Sequence, residues 1–334
     1  MSTDNPDMPT VLVSAKSLKP NEGGVVGRLE EAGLNLRFAI CEPTTPAADL
    51  LKYLAGCQAS VSGSESYSEE IFAASPQLRH VARFGVGFDG VDLQAATAHS
   101  VVVTTTPGTL EEAVADHAFG LMLALAHDII NRDTIVRRGQ WKAGRARDVG
   151  EKTIGIVGLG RIGRAVARRA VGFQMKILAC EQQPDAEFVR SHGITLVSLE
   201  QLLRESDFVT LHLPVTPETR KIISAEMLAC MKQEAYLINT ARGQLIDEDA
   251  LLKALKGGQI AGAGLDVYAE EPPNDLPFIE LDNVVLTPHC SAATWGAWEA
   301  IGAAVARDVL KVMRREKPDT ILNPEVWADF LKRK

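Results

Sequence analysis

The stretch Thr153–Val166, TIGIVGLGRIGRAV, decides how the rest of the chain is interpreted. Apolar residues typical of a buried strand lead directly into three glycines, and a helical pattern of apolar and basic residues follows. Gly158 permits a tight turn, Gly160 lets the backbone approach a pyrophosphate, and Gly163 lets the helix pack closely on the strand. The free N–H groups at the start of such a helix attract phosphate. The stretch therefore predicts a dinucleotide-binding turn; a glycine-rich turn without a ligand is the alternative.

The next predicted strand, KILACE, ends at Glu181, 18 residues after Gly163. A carboxylate at that place accepts hydrogen bonds from the ribose hydroxyls of the adenosine and repels a 2′-phosphate. No lysine or arginine follows immediately, because the next residues are Gln182 and Gln183. The sequence therefore favours NAD over NADP. A surface glutamate at a strand end is the alternative reading of Glu181 alone.

Strand and helix patterns alternate through two regions of the chain. The first region contains VLVS, ASVS, LRHVARF and VVVTTT as predicted strands with helical segments between them, and a second alternating series begins at Lys152. Alternation of this kind predicts a parallel sheet with helices on both faces. We therefore expect an α/β protein with two Rossmann-like, doubly wound parallel-sheet domains.

Two breaks in the pattern predict the domain boundaries. Pro107-Gly108 ends the first alternating series, and Pro288 precedes a long closing helical run. We expect residues 1–107 and 290–334 to form one discontinuous domain and residues 108–289 to form the dinucleotide-binding domain. The helical stretch after Pro107 is apolar around most of its circumference, so it must be covered on most sides by neighbouring elements or by a second subunit.

Composition excludes several classes of function. The chain has 334 residues, 46% of them hydrophobic and 23% charged, with a net charge of −8, which argues against binding to nucleic acid. The longest mostly apolar run, Ala118–Ala126, is too short to cross a membrane, and the polar N-terminus shows no secretion signal. The five cysteines have no CxxC spacing, so they predict neither disulfides nor a metal site. A cytoplasmic protein is expected.

Three chemically active side chains follow predicted strands in the second series. They are Arg242 in LINTARGQ, Glu271 in GLDVYAEEPP and His289 in NVVLTPHC. Ligands bind at the carboxyl ends of parallel strands. Arginine matches a carboxylate, and a histidine beside a carboxylate can donate a proton to a forming alkoxide. Each residue alone has an ordinary explanation, as a surface cation, a loop acid or a core histidine; together they predict a site that holds and protonates a carbonyl beside a nicotinamide.

Segments along nearly the whole chain resemble the D-isomer-specific 2-hydroxyacid dehydrogenases, which include phosphoglycerate, hydroxypyruvate and D-lactate dehydrogenases. The segments include VARFGVGFDGVDL, TTTPGTLEEAVADHAFGLMLALAH, TIGIVGLGRIGRAVARRA, AGAGLDVYAEEPP and NVVLTPHCSAAT. The resemblance implies NAD-dependent, reversible interconversion of a small D-2-hydroxy acid and its 2-keto acid. It also implies a flavodoxin-like substrate domain, an NAD-binding Rossmann domain, closure of the two domains around the substrate, and a homodimer.

The resemblance also implies roles for individual residues. Arg242 would orient the substrate carboxylate and carbonyl, His289 would be the acid/base, and Glu271 would pair with His289. The substrate would also meet an anion nest made by the N–H groups of Val86 and Gly87, with Arg83 as a further anion partner. The implied cofactor-binding residues are Gly158, Gly160, Arg161, Ile162, Gly163, Glu181, Leu213, Thr240 and Asp266.

The chain departs from the commonest family pattern in three places. Glu181 stands where aspartate is usual, and Cys290 and Ser291 follow the histidine where an apolar and a small residue are usual. The segment Val61–Glu70 contains the acidic Glu65 and no lysine or arginine, where phosphoglycerate-type members often carry a basic residue. That composition weakens the case for a phosphorylated substrate.

The sequence also allows two alternative functions. One is an NAD-sensing, non-catalytic binding protein like the C-terminal binding protein corepressors, which keep the fold and the three active residues. The other is oxidation of formate or phosphite, which is less favoured because formate-type members carry glutamine at the position of Glu271.

Overall fold

The computed structural model describes residues 8–20, 24–142 and 144–333. The polar N-terminal segment lies mostly outside these residues. The chain divides into two compact units, Met1–Leu110 with Trp295–Lys334, and Glu111–Thr294. They are called the first and the second unit below.

The strands within the described residues are short and mostly apolar. In chain order they are β1 Thr10–Val13, β2 Asn35–Phe38, β3 Ala59–Ser62, β4 His80–Arg83, β5 Val102–Thr104, β6 Thr153–Val157, β7 Lys176–Cys180, β8 Thr195–Leu196, β9 Phe208–Leu211, β10 Tyr236–Asn239, β11 Gly262–Leu265 and β12 Val284–Leu286.

Helices separate most of these strands. In chain order they are α1 Gly24–Glu31, α2 Ala47–Leu54, α3 Glu69–Ala74, α4 Leu93–Ala98, α5 Glu111–Ala126, α6 Ile129–Arg137, α7 Arg161–Gly172, α8 Ala186–Ser191, α9 Leu199–Glu205, α10 Ala225–Ala229, α11 Glu248–Lys256, α12 Trp295–Met313 and α13 Trp327–Lys332, with short 3₁₀ turns at Gly243–Leu245 and Pro324–Val326.

Both units are built on parallel sheets. The first unit has the strand order β2-β1-β3-β4-β5, which is the flavodoxin-like order, and helix α12 returns to pack on β4 and α1. The second unit has the order β12-β11-β10-β9-β6-β7-β8, whose first six strands in sequence follow the Rossmann order. The predicted α/β class with two parallel, doubly wound sheets is confirmed.

The sheet of the second unit is covered on both faces. Ile154, Ile156 and Ile238 belong to a core that includes residues of α5 and α7, whereas Val157 and Leu237 belong to a core that includes residues of α9 and α11. This division follows from the alternation of side chains along a strand. Helix α5 packs on α7 and on strands β10, β11 and β12, which explains why it is apolar around most of its circumference.

Within the described part of the chain, no single helix meets the length and hydropathy needed for a membrane span. Helices α5 and α6 together meet them on length and composition, but they are bent by 60° relative to each other.

The turn after β6 depends on glycines that no other residue could replace without strain. Gly158 has a φ of 94°, and a Cβ atom there would lie 2.6 Å from the His212 carbonyl oxygen. A Cβ atom on Gly163 would lie 2.1 Å from the carbonyl oxygen of Gly158. Helix α7 therefore packs directly on the turn, as the glycine spacing predicts.

A Gly163→Ala substitution tests this packing. We expect it to lower the free energy of unfolding by about 1–3 kcal/mol, because backbone must move to admit the methyl group. The control is Gly172→Ala at the end of α7, where a Cβ atom would meet nothing within 4 Å. Urea unfolding followed by circular dichroism measures both; equal stability of the two variants would contradict the packing argument.

Candidate active site

The glycine turn leaves the start of helix α7 accessible to a ligand. Gly160 is the N-cap residue of α7 and provides no side-chain cap. A Cβ atom on Gly160 would meet no atom within 4 Å, so neighbouring residues do not fill the space above the helix start. Arg161 and Ile162 form the first turn of the helix. Free N–H groups and the positive end of the helix dipole suit the pyrophosphate of a dinucleotide.

Glu181 lies beside this turn, at the end of β7. Its carboxylate accepts hydrogen bonds from the Leu159 N–H at 2.8 Å and from the Gln183 N–H at 2.9 Å. Burial alone would raise the pKa of Glu181, but hydrogen bonds from the backbone of Gln183 and Leu159 lower it below its usual value. A stable negative charge next to the glycine turn fits ribose hydroxyls and disfavours a 2′-phosphate.

Two further predicted cofactor residues lie near the carboxyl ends of β9 and β10. The Leu213 side chain comes so close to the glycine turn that a Cβ atom on Gly158 would lie 2.8 Å from it. Thr240 is almost fully buried, and its hydroxyl oxygen has no hydrogen-bond partner among the described residues. A buried, unpartnered hydroxyl costs free energy, and a bound cofactor with polar groups would satisfy it.

His289 and Glu271 form a close pair. His289 Nδ1 lies 2.5 Å from Glu271 Oε2, and Glu271 Oε1 accepts a hydrogen bond from the Tyr268 N–H at 2.9 Å. The carboxylate therefore fixes the orientation of the imidazole ring and leaves Nε2 as the nitrogen that can exchange a proton with a substrate. About half of the His289 side chain is exposed, so a small molecule can reach it.

A buried carboxylate holds the loop that carries His289. Asp266 is fully buried, and its carboxylate accepts hydrogen bonds from the Thr287 hydroxyl at 2.6 Å and from the N–H groups of Cys290 at 2.9 Å and Ser291 at 3.0 Å. The His289 N–H donates to the Asp266 carbonyl at 2.8 Å. These bonds hold His289 at a φ of 50°, a left-handed conformation that is uncommon outside glycine. The contacts of Asp266 therefore organise the loop that carries His289.

Arg242 lies at the end of β10, in a turn that Asn239 stabilises. The side chain of Asn239 donates to the Arg242 carbonyl at 2.8 Å and accepts from the Ala241 N–H at 3.0 Å. The next residue, Gly243, lies against the backbone of Tyr268, because a Cβ atom there would be 1.9 Å from the Tyr268 carbonyl carbon. The segments that carry Arg242 and Glu271 are therefore in direct contact.

The strand order explains why these three residues share one edge of the sheet. Strands β10, β11 and β12 are neighbours and all run parallel, so their carboxyl ends lie side by side. Arg242, Glu271 and His289 follow these three strands in turn.

The predicted substrate residues of the first unit are Arg83, the last residue of β4, and Val86 and Gly87 in the loop that follows. Arg83 is nearly buried, and its guanidinium donates to the Gly87 carbonyl at 3.1 Å and to the Glu65 carbonyl at 3.4 Å. Val86 and Gly87 are half-buried. The guanidinium of Arg83 thus supports the backbone of the predicted anion nest.

Glu65 is fully buried rather than exposed to a ligand. Its Oε1 atom lies 2.5 Å from the Ser14 hydroxyl and 3.3 Å from the Tyr67 hydroxyl, and both hydroxyls donate to it. Glu65 therefore acts inside the first unit. A phosphorylated substrate is then disfavoured only because the segment Val61–Glu70 has no lysine or arginine.

The role of Asn239 and the contact of Gly243 with Tyr268 were not predicted from the sequence. A signal for Asn239 exists, since an amide ends the otherwise apolar strand YLIN. The close approach of Gly243 to another segment has no local signal.

Comparison with known proteins shows to which family the chain belongs. A family model described as "D-isomer specific 2-hydroxyacid dehydrogenase, NAD binding domain" matches residues 119–291. A glyoxylate reductase of Pyrococcus horikoshii is 45% identical over 295 residues, which cover 85% of this chain and 88% of the relative. The chain belongs to the D-isomer-specific 2-hydroxyacid dehydrogenase family.

Solved structures of other proteins agree with that membership. The TT0316 protein from Thermus thermophilus is 36% identical with a TM-score of 0.85, and the match covers 94% of this chain and 99% of that one. A D-lactate dehydrogenase from Aquifex aeolicus, solved in complex with NAD and lactic acid, is 28% identical with a TM-score of 0.82, covering 94% and 99%.

This dehydrogenase is an NAD-dependent oxidoreductase that interconverts a 2-hydroxy acid and its 2-keto acid. The predicted family, fold, cofactor and enzyme class are confirmed, and the non-catalytic alternative is not favoured.

A His289→Gln variant tests the acid/base role. We expect kcat/KM to fall by about 100- to 10,000-fold, because glutamine cannot donate a proton to the carbonyl oxygen. His127→Gln, which changes an exposed histidine of the same unit, is the matched control and should keep full activity. Steady-state kinetics measure kcat/KM for both variants. Full turnover in the His289 variant would contradict the acid/base role of His289.

Proposed function

We propose that this dehydrogenase reduces glyoxylate and other small, unphosphorylated 2-keto acids, such as hydroxypyruvate, with NADH. The close pair of His289 and Glu271, at the sheet edge that also carries Arg242, supports the chemistry. The name of the Pyrococcus relative, a glyoxylate reductase, supports the substrate. The lack of a basic residue in Val61–Glu70 supports an unphosphorylated acid.

In the proposed mechanism, Arg242, His289 and Glu271 each have a defined role in reduction of the keto acid. Bound NADH supplies the hydride for the keto carbon. Arg242 binds the substrate carboxylate and polarises the carbonyl. Protonated His289 donates its Nε2 proton to the carbonyl oxygen as the alkoxide forms. Before this transfer, Glu271 stabilises the positive charge on the imidazolium ring. In the reverse direction, Nε2 of His289 takes the hydroxyl proton.

The remaining site residues are proposed on the same grounds. The glycine turn with Arg161 and Ile162 binds the pyrophosphate, Glu181 binds the ribose, and Leu213, Thr240 and Asp266 belong to the nicotinamide side of the site. In the first unit, we assign the N–H groups of Val86 and Gly87 to the substrate carboxylate and give Arg83 the role of supporting them. The first unit is then the substrate domain and the second unit the NAD domain.

A panel of keto acids tests the substrate. Oxidation of NADH and of NADPH would be followed with glyoxylate, hydroxypyruvate, pyruvate and 3-phosphohydroxypyruvate. We expect kcat/KM for glyoxylate or hydroxypyruvate to exceed that for the phosphorylated acid by about tenfold or more, and NADH to be preferred over NADPH. Highest activity on 3-phosphohydroxypyruvate would contradict the substrate, and tight NADH binding without any turnover would indicate a binding protein.

We also propose that the enzyme is a homodimer through α6 and the segment after it. Ile129, Ile130, Val136 and Trp141 are exposed apolar side chains in this region, and Trp141 is 90% exposed. Exposed apolar patches commonly mark protein interfaces. The family resemblance supports a second copy of this chain as the partner.

An Ile130→Asp substitution tests the dimer. We expect it to shift the protein toward monomers in analytical ultracentrifugation, because a buried, unpaired carboxylate opposes association. Ile279→Asp is the control, since Ile279 is an exposed isoleucine elsewhere in the second unit. An unchanged dimer in the Ile130 variant, or a monomeric wild type, would contradict this interface.

A cytoplasmic location is proposed as well. The five cysteines, all within the described residues, are free thiols, which supports a reducing compartment.

A further inference from the structure

Three potential metal ligands meet beside the catalytic loop. They are His117 on α5, Asp266 after β11 and Cys290 after β12, and their ligand atoms all lie within 4.8 Å of one another. The cluster lies entirely in the second unit. Cysteine spacing could not reveal it, because the three ligands come from distant segments and only one of them is a cysteine.

The cluster already has part of the spacing of a tetrahedral site. Zinc binds imidazole nitrogen and carboxylate oxygen at about 2.0–2.1 Å and thiolate sulfur at about 2.3 Å, so neighbouring ligand atoms lie about 3.4–3.6 Å apart. His117 Nε2 lies 3.5 Å from Asp266 Oδ1. Cys290 Sγ lies within 4.8 Å of both of these atoms.

The carboxylate is oriented before any ion arrives. Asp266 is fully buried and held by the N–H groups of Cys290 and Ser291. The hydroxyl oxygen of Thr287 lies 2.6 Å from Asp266 Oδ1 and 3.0 Å from His117 Nε2. It can provide the fourth ligand, which is the second oxygen of the set, once its hydrogen bond to Asp266 is released.

The Cys290 thiol lies beside the carboxylate of Asp266 and is partly accessible to solvent. Cys290 and His117 are half-buried. Cysteine binds a metal as the thiolate, so binding at this site would release the thiol proton to solvent. A set of sulfur, imidazole and carboxylate ligands suits Zn²⁺ among the common divalent ions.

We propose that His117, Asp266 and Cys290 form a binding site for Zn²⁺ or a similar thiophilic cation, completed by Thr287, and that occupancy inhibits the enzyme. Inhibition follows because the loop that would supply the cysteine also carries His289, whose backbone is held by the same Asp266. An ion on Oδ1 competes with the Cys290 N–H for that oxygen and displaces His289 from its pairing with Glu271. The binding is independent of the proposed substrate; only the inhibition rests on the proposed function.

The binding test uses Cd²⁺ as a spectroscopic probe. Metal-free protein is titrated with CdCl₂ while the ultraviolet charge-transfer absorption of a cadmium–thiolate bond is recorded, and calorimetry with ZnCl₂ gives the stoichiometry. We expect one equivalent to bind with a thiolate band. Cys290→Ala should lose the band, and His117→Gln should weaken binding by about tenfold or more.

The matched control is Cys230→Ala, which removes another half-buried thiol of the second unit and should keep the band. Thermal unfolding shows whether each variant is folded, and the His117 variant remains informative if the Cys290 variant is not. A band that persists in folded Cys290→Ala, or none in the wild type, would overturn the proposal.

The activity test separates this proposal from the proposed function. Zn²⁺ should inhibit keto-acid reduction by the wild type and by Cys230→Ala, whereas Cys290→Ala should need about tenfold more Zn²⁺ or higher for half inhibition. Normal glyoxylate reduction without metal binding would overturn the metal site alone. Metal binding to a protein that reduces none of the keto acids would contradict the proposed function alone.

Discussion

The site depends on one buried carboxylate, that of Asp266. Removing such a group from water without partners is costly, so its hydrogen-bond donors are required for a stable fold. The donors are the Thr287 hydroxyl and the N–H groups of Cys290 and Ser291, which lie on both sides of His289 in the chain. The carboxylate therefore determines the path of this loop, and the loop path places the imidazole against Glu271.

The parallel sheet supplies the second constraint. Parallel strands in register bring residues that are far apart in sequence to a common edge, and β10, β11 and β12 do this for Arg242, Glu271 and His289. Close backbone packing then sets the distance between the segment that carries Arg242 and the segment that carries Glu271. Gly243 allows the turn with Arg242 to touch the backbone of Tyr268, and a side chain at Gly243 would push the two segments apart.

Buried polar groups organise the first unit in a similar way. Arg83 supports the Gly87 carbonyl, and Glu65 accepts hydrogen bonds from Ser14 and Tyr67. The family resemblance implies that Arg83, and the segment that contains Glu65, lie near the substrate. In the structure, the side chains of Arg83 and Glu65 are both buried in the first unit. Buried polar side chains help to specify one loop conformation, because each requires defined hydrogen-bond partners.

The sequence by itself determined the α/β class, the glycine turn, the cofactor class and the family, because strand and helix periodicity and the steric needs of glycine are local properties. It also predicted Arg242, Glu271 and His289 as active residues of the second unit from their positions after strands. Only the tertiary structure decided which way Glu65, Arg83 and Asp266 point, and that Cys290 meets His117. Those outcomes depend on which buried groups find hydrogen-bond partners, and the partners come from segments that are distant along the chain.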